Sequence, residues 1–467
     1  MVHNEGRQPK TTRRWVLLAD RMADRTITVG GILVIAAVLG MMLFLVYEAL
    51  PLFKGGSVLS TTRYDLADKP DRVAGLTQDE YETVAVLASQ DGRIRAWHLR
   101  SGHQIDVVAP DFQGKEVLSC AVSIDGLHMA FGFSDGTVRL GKIRFAADLL
   151  PERQLPEGLK RLDERDSTDG RAIYSLIPGG QVRKTTLDVE LGESITVSDS
   201  GSPVVMMALR HADFGERPKS VLAALDGQGR PSLIVAESRL NLFTRKVTTK
   251  VSKANLPPLP GSADAVAYAL VNDSGDEVFF AEKSGTVYRY DTRDLDKPVL
   301  TETSRLVPDG VALTALEFLL GDRSIVVGGS DGSVNIFFLL EREGCGSTDG
   351  RALVKTRTFQ PHCASVSGLS PGQRGKTFAT WDRQGEIWIR HGTSQKTILK
   401  LKRDESSSVI HALSLAPRLN GLLAVDGKGG GYWSLNIAHP ETSLHTLFGK
   451  VWYEGYPAPS YTWQSTG

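Results

Sequence analysis

Two hydrophobic patterns divide this chain. From Thr26 to Tyr47 it reads TITVGGILVIAAVLGMMLFLVY without a charge, and about 22 helical residues rise about 33 Å, enough to cross the hydrocarbon core of a bilayer. Beyond Lys54 no stretch is comparable: Val311 to Leu320 and Val334 to Leu340 are short, and Glu317, Asp322 and Arg323 break them up. Apolar and polar residues there alternate over runs of strand length, the period of half-buried β-strands.

The first pattern predicts a transmembrane anchor over residues 26–50 rather than a cleaved signal peptide, whose apolar core is shorter, and Glu48 to Phe53 offers no clear small-residue cleavage site. Arg7, Lys10, Arg13, Arg14, Arg21 and Arg25 precede the span, against Lys54 and Arg63 soon after it. The positive-inside bias then keeps residues 1–25 in the cytoplasm and sends the remainder outside a bacterial-type inner membrane, crossed once. Trp15, Leu18 and Met22 share a helical stripe beside Arg14, Arg21 and Arg25, which predicts an interfacial helix on the inner leaflet, with an unstructured tail as the competing reading. Ala36 and Gly40 form a small-xxx-small pair, a weak signal in any span this rich in small residues.

The second pattern repeats. VAVLASQDGRIRAWHL (Val84 to Leu99), HMAFGFSDGTVRLGKI (His128 to Ile143), EVFFAEKSGTVYRYDT (Glu277 to Thr292), SIVVGGSDGSVNIFFL (Ser324 to Leu339) and TFATWDRQGEIWIRHG (Thr377 to Gly392) share one plan, in which two strands flank a Gly-centred turn. Weaker copies run from Ser220 to Arg245 and from Gly421 to Ile437. Gly92, Gly136, Gly285, Gly332 and Gly385 mark the turns, and neighbouring copies stand about 44 to 53 residues apart, close to the period of a four-stranded propeller blade. Asp-Gly and Ser-Gly turns supply the positive φ of tight hairpins. A blade cannot bury both faces alone, so the copies must close into a ring. The fold class predicted is all-β, a WD-repeat-like β-propeller of about seven blades over residues 58–440, preceded by one transmembrane helix. Val58 to Tyr64 alternates and is expected to pair into the last blade and close the ring.

Residues 146–201 exceed the repeat and are expected to be an insertion. They contain STDGRA at Ser167 to Ala172, and the same hexapeptide returns at Ser347 to Ala352. Both copies follow the last strand of a repeat, which predicts the turns of two protruding hairpins, free to reach a docked partner.

Composition narrows the function. Lys plus Arg equals Asp plus Glu at 54 each, so no basic field would steer the chain onto nucleic acid. Cys120, Cys345 and Cys363 lack the spacing of a zinc site. Cys120 reads as a small buried strand residue, whereas Cys345 and Cys363 flank an excursion and are able to pair in an oxidising compartment; His362 beside Cys363 reads as incidental. Gly328 to Gly332 and Gly132 to Gly136 both match G-x-S-x-G, yet each recurs at the blade turn with a strand after it, where a nucleophile elbow needs a helix. Gly427 to Gly431 reads as a turn, since no Gly-Lys-Ser/Thr run completes a phosphate loop. Arg93, Arg95, His98 and Arg100 alternate on one strand and suit a solvated face better than an anion site. Neither an acid-base pair nor a metal constellation stands out, so the expectation is a binding module, not an enzyme, with no cofactor and no small-molecule substrate identified.

Two segments carry a family resemblance: RRWVLLADRMADRTITVGGILVIAAVLGMMLFLVYEALPLFKGGS (Arg13 to Ser57) and GKVWYEGYPAPSYTWQSTG (Gly449 to Gly467). They resemble the phosphate-specific ABC transporter permease subunit, in the long form whose first transmembrane helix is followed by a large extracytoplasmic insertion. The resemblance implies that residues 441–467 lead back to the membrane, and that the partners are the core permease and the phosphate-binding protein. Trp452, Tyr453, Tyr456, Tyr461 and Trp463 independently form an aromatic cluster of the kind found at membrane interfaces or partner contacts, or one that covers a blade edge. The sequence stops before the helices of a translocation path, so the chain is expected to be either part of a longer permease or a separate subunit beside one. The alternative is a free-standing envelope scaffold, which the fold alone supports equally.

Overall fold

The computed structural model describes residues 14–53, 56–66, 72–213, 217–240, 247–342, 344, 346–402, 409–417 and 421–436. They form two units, a helix and a β-domain.

The helix runs unbroken over Arg14–Phe53, about 60 Å at 1.5 Å per residue. Its segment Leu18–Tyr47 is long and apolar enough to cross a membrane, and none of it is buried. The hydroxyls of Thr26 and Thr28 donate back to the carbonyls of Met22 and Asp24, both at 2.8 Å, so neither donor is left for an apolar surrounding to desolvate. Trp15, Leu18 and Met22, the stripe of the expected interfacial helix, lie in the first turns of this same helix, where no Pro or Gly between Arg14 and Val29 breaks its hydrogen bonding.

Among the described residues of the β-domain, seven antiparallel sheets follow one another. In chain order their innermost strands are Val73–Gln78, Val117–Val122, Val204–Asp213, Val266–Val271, Leu313–Phe318, Val366–Pro371 and Ile410–Leu415. Each innermost strand packs beside the next, and Ile410–Leu415 returns to Val73–Gln78, so the sheets close a ring, a β-propeller. The reason lies in the alternation, since every sheet has two apolar faces and gives one to each neighbour. Thus Phe280 and Tyr290 of the fourth sheet pack on Val221 and Val235 of the third, while Phe279 and Val287 pack on Phe318 and Phe337 of the fifth. Each fully buried side chain of this size contributes roughly 1.5–3 kcal/mol. The turn glycines behave as expected: Gly332 has φ +83°, and a Cβ there would fall 2.3 Å from the His362 carbonyl oxygen, so both conformation and space demand glycine.

Candidate functional site

The chain enters and leaves the ring at one place. Ser57–Asp65 is the outermost strand of the seventh sheet and pairs antiparallel with Gly429–Asn436, Ser57 opposite Asn436. The expected ring closure by Val58 to Tyr64 is present. Tyr64 fixes it, lying across Gly429 and Gly430, whose absent side chains make room for it, and accepting a 2.7 Å hydrogen bond from Trp97 Nε1 of the first sheet. The glycine run read as a turn is in part this strand, from Gly429 onward, a correction that Tyr64 explains.

The insertion widens the second sheet to seven strands. Thr137–Pro151 and Gln181–Thr196 form one ladder from Thr137 opposite Thr196 to Pro151 opposite Gln181, flanked by Ala172–Ile177, Asp166–Thr168 and Lys160–Arg161. The expected boundaries 146–201 are corrected here. Gln181–Thr196 is the sheet's own fourth strand, and its Leu187 belongs to the core shared with the first sheet. Only the middle of the segment lies beyond the ring.

Neither hexapeptide protrudes, which corrects the expected free hairpin tips. Both lie between the third and fourth strands of their sheets and fold back on the preceding sheet. The first turn accepts a 2.8 Å hydrogen bond at the Gly170 carbonyl from Asp106 N–H; in the second, Thr348 N–H donates to the Thr301 carbonyl at 3.3 Å. Around the first, Ser101 N–H donates to His98 Nδ1 (3.2 Å), which leaves the proton on Nε2 to donate to Asp166 Oδ2 at 3.0 Å. Against the upward push of burial, the hydrogen bond from His98 holds the Asp166 carboxyl below its ordinary value. Arg183 lies 3.9 Å over the Tyr81 ring and donates to Thr83 Oγ1 at 3.1 Å.

Around the second hexapeptide, Arg289 is fully buried. Its guanidinium donates to Asp349 Oδ1 and Oδ2 at 2.7 and 2.8 Å, to Glu302 Oε2 at 3.0 Å and to Glu277 Oε2 at 3.2 Å. Arg351 closes the network on Glu277 and Asp349. Burial pushes the Glu277 carboxyl up, while the Arg289 hydrogen bonds hold Asp349 well below the usual carboxylate range.

His362, read as incidental, is instead a fastening between strands of the sixth sheet. Its Nε2 meets Thr380 Oγ1 at 2.8 Å, its Nδ1 faces Asp382 Oδ2 at 3.4 Å, and its ring lies 4.5 Å from that of Trp388. Asp382 Oδ1 in turn accepts from the N–H groups of Gln384 and Glu386. The group His362, Asp382 and Glu386 has metal-ligand chemistry, and burial, then Arg390 and Lys400, pull the His362 imidazole down to about 3. His98, Asp163 and Asp166 form a similar group, whose His98–Asp166 bond fastens the insertion.

The remaining sequence-derived residues scatter. Ser330 sits in a blade turn, its hydroxyl accepting from Ala312 N–H at 2.9 Å. Of the basic row, Arg93 pairs with Asp91 and Arg95 donates to Ser89, while His98 is buried. The row is thus not one solvated face. Cys120 is buried, its thiol pushed up to about 12 by desolvation and then by Asp91. Cys363 is an exposed free thiol, and Cys345 lies outside the described residues. Trp452, Tyr453, Tyr456, Tyr461 and Trp463 also lie outside them. A cavity of about 210 Å³ beside the third sheet is lined by Asp226 and Arg230, which close on each other at 2.7 Å.

No protein-family model and no curated protein matches this chain. Among solved structures, it is similar to the Cps50 (Swd1) β-propeller domain of Myceliophteria thermophila, at 14% identity and a TM-score of 0.46, over 80% of this chain and 99% of that one.

Proposed function

We propose that this chain carries an extracytoplasmic propeller of seven blades, one per sheet, set into the permease subunit of a phosphate ABC importer, where it serves phosphate transport as an accessory, partner-binding module. The observation that carries this reading is the pairing of Ser57 with Asn436. A domain whose two ends are cross-strand neighbours, about 5 Å apart, is built to interrupt another chain path without displacing it. The resemblance of Arg13 to Ser57 and Gly449 to Gly467 to the long-form permease names the path interrupted. The core permease and the phosphate-binding protein are the partners this reading implies, and the charge asymmetry around the span puts the ring on the periplasmic side.

The test follows from the geometry. Replacing residues 58–435 by a short Gly-Ser linker should leave the protein inserted and abundant, yet change phosphate uptake or the response to phosphate starvation. A reporter inserted at Gly310, around which a side chain would meet nothing within 4 Å, should be active only if it functions after export. Cytoplasmic activity there overturns the topology. Unchanged uptake and starvation response overturn the transport role and leave the envelope scaffold as the reading to pursue.

A further inference from the structure

The third sheet's innermost strand, Val204–Asp213, is ten residues long, whereas that of the fourth sheet, Val266–Val271, is six. Its added end holds Arg210 and His211, which as strand neighbours point to opposite sides. Arg210 reaches the fifth sheet, donating to Glu317 Oε1 at 2.6 Å and standing 3.4 Å from Asp322 Oδ1; Asp322 is itself fixed by the Asp273 N–H at 2.8 Å. His211 reaches the second sheet, where its ring stacks on His128 with centroids 3.4 Å apart and planes 16° from parallel.

Polar and charged groups surround this stack on both sheets. His211 Nδ1 meets Ser220 Oγ on the adjoining strand at 2.8 Å, and its backbone N–H donates to Ser123 Oγ. His128 Nδ1 meets Asp125 Oδ2 at 2.6 Å. Lys142 lies opposite His128 in the ladder. Asp213 ends the strand, and Lys219, opposite Ala212, turns its ammonium to the Ser274 carbonyl. Burial first, then His128 and Lys142, bring the His211 imidazole down to about 4, with Asp125 and Asp213 opposing.

We propose that the His128–His211 stack is an acid-opened latch between the second and third sheets. A proton taken from solvent by His211 puts a charge into a half-buried seat that disfavours it, the ring leaves its seat, and the strand end swings out on Arg210 while the remaining ring stays closed. Arg210 is the pivot because it ties the strand to Glu317 and Asp322 on the side away from the second sheet. For His211 a depressed folded value means the seat is fully stable above the ordinary histidine value of about 6.5 and weakens as pH falls towards about 4.

Hydrogen exchange on the full chain in detergent tests this, comparing about pH 7.5 with about pH 4.5 after correction for intrinsic rates. Each unit between the seated and free values is worth tenfold, so residues 205–213 and 119–127 should lose protection by about tenfold or more. Val266–Val271 and Val366–Pro371 should keep theirs. His211→Gln, shown by thermal melting to be folded at neutral pH, should cut the acid effect to less than about twofold; if that variant does not fold, His211→Asn, which also removes the titrating ring, carries the same expectation. The proposal is overturned by protection that does not change with pH, by loss spread evenly over all innermost strands, or by an acid effect that survives the substitution.

Discussion

The two STDGRA segments are the same six residues, placed alike between third and fourth strands, and they hold the ring by different means. In the first, Asp169 spends itself locally: Oδ1 accepts the N–H groups of Arg171 and Ala172 at 2.9 and 2.7 Å, and Oδ2 accepts the Tyr174 hydroxyl at 3.0 Å. Docking on the first sheet falls to other residues, Asp166 on His98 and Arg183 on Tyr81. In the second, Asp349 makes the same turn through the Arg351 N–H at 3.1 Å but turns both oxygens to Arg289. The hexapeptide therefore dictates a turn, through an aspartate that accepts the N–H two residues on. What the turn fastens depends on the preceding sheet, which offers a buried guanidinium in one case and a backbone N–H in the other.

The largest effect that tests this contrast is at Arg289. Arg289→Met leaves buried Glu302 without its guanidinium partner and Glu277 and half-buried Asp349 with Arg351 alone, and removal of one partner from a buried ionic network costs about 3–5 kcal/mol. Denaturant unfolding should show a loss of that size. A loss below about 1 kcal/mol, the level of an exposed ion pair, would remove Arg289 as the fastening of the second turn. Next comes Asp349→Asn, which keeps the shape and part of the hydrogen bonding but removes the charge. A charge-assisted bond contributes about 1.5–3 kcal/mol, and the loss should lie in that range. Because the Asp349 carboxyl is held low, its contribution is complete above the ordinary carboxylate value and disappears only as pH falls through the depressed one. The second fastening should therefore outlast the His211 stack on acidification.

The ring was legible because its signals are local: glycines of positive φ at turns such as Gly92, Gly136, Gly285, Gly332 and Gly385 and two apolar faces per strand set. The closing strand was legible too, since Ser57–Asp65 alternates against the glycines that receive it. The insertion boundary was not. Phe145, Leu150, Val182 and Leu187 continue the ring's alternation along both long strands into the insertion, and the turn at Pro178-Gly179-Gly180 lies at the far tip of that ladder, so the pattern does not show where the ring ends and the insertion begins. Arg289 alternates with Tyr288 and Tyr290 and reads from sequence as a solvated position, yet the fold buries it, because a segment 60 residues later covers it. His362 fails in the same way. Its partners Thr380, Asp382 and Trp388 stand in a visible Asp-x-x-Gly turn unit, but the histidine precedes them by a whole strand and is brought back only by the sheet.

The smallest effect separates the first turn from the second most sharply. Asp169 is exposed, and its bonds stay within one hairpin, so Asp169→Asn removes no counter-charge from a buried group. Against burial, the N–H groups of Ala172 and Arg171 and the Tyr174 hydroxyl hold its carboxyl below the ordinary value, but solvent screens much of that interaction. An asparagine oxygen can still accept from the Arg171 N–H. The expected loss is therefore about 0.5–1 kcal/mol, well under that of Asp349→Asn, and hydrogen exchange should loosen residues 166–177 while the His98 seat on Asp166 persists. If both substitutions cost the same, the hexapeptide itself carries the fastening in both places, and the difference drawn between the two turns is wrong.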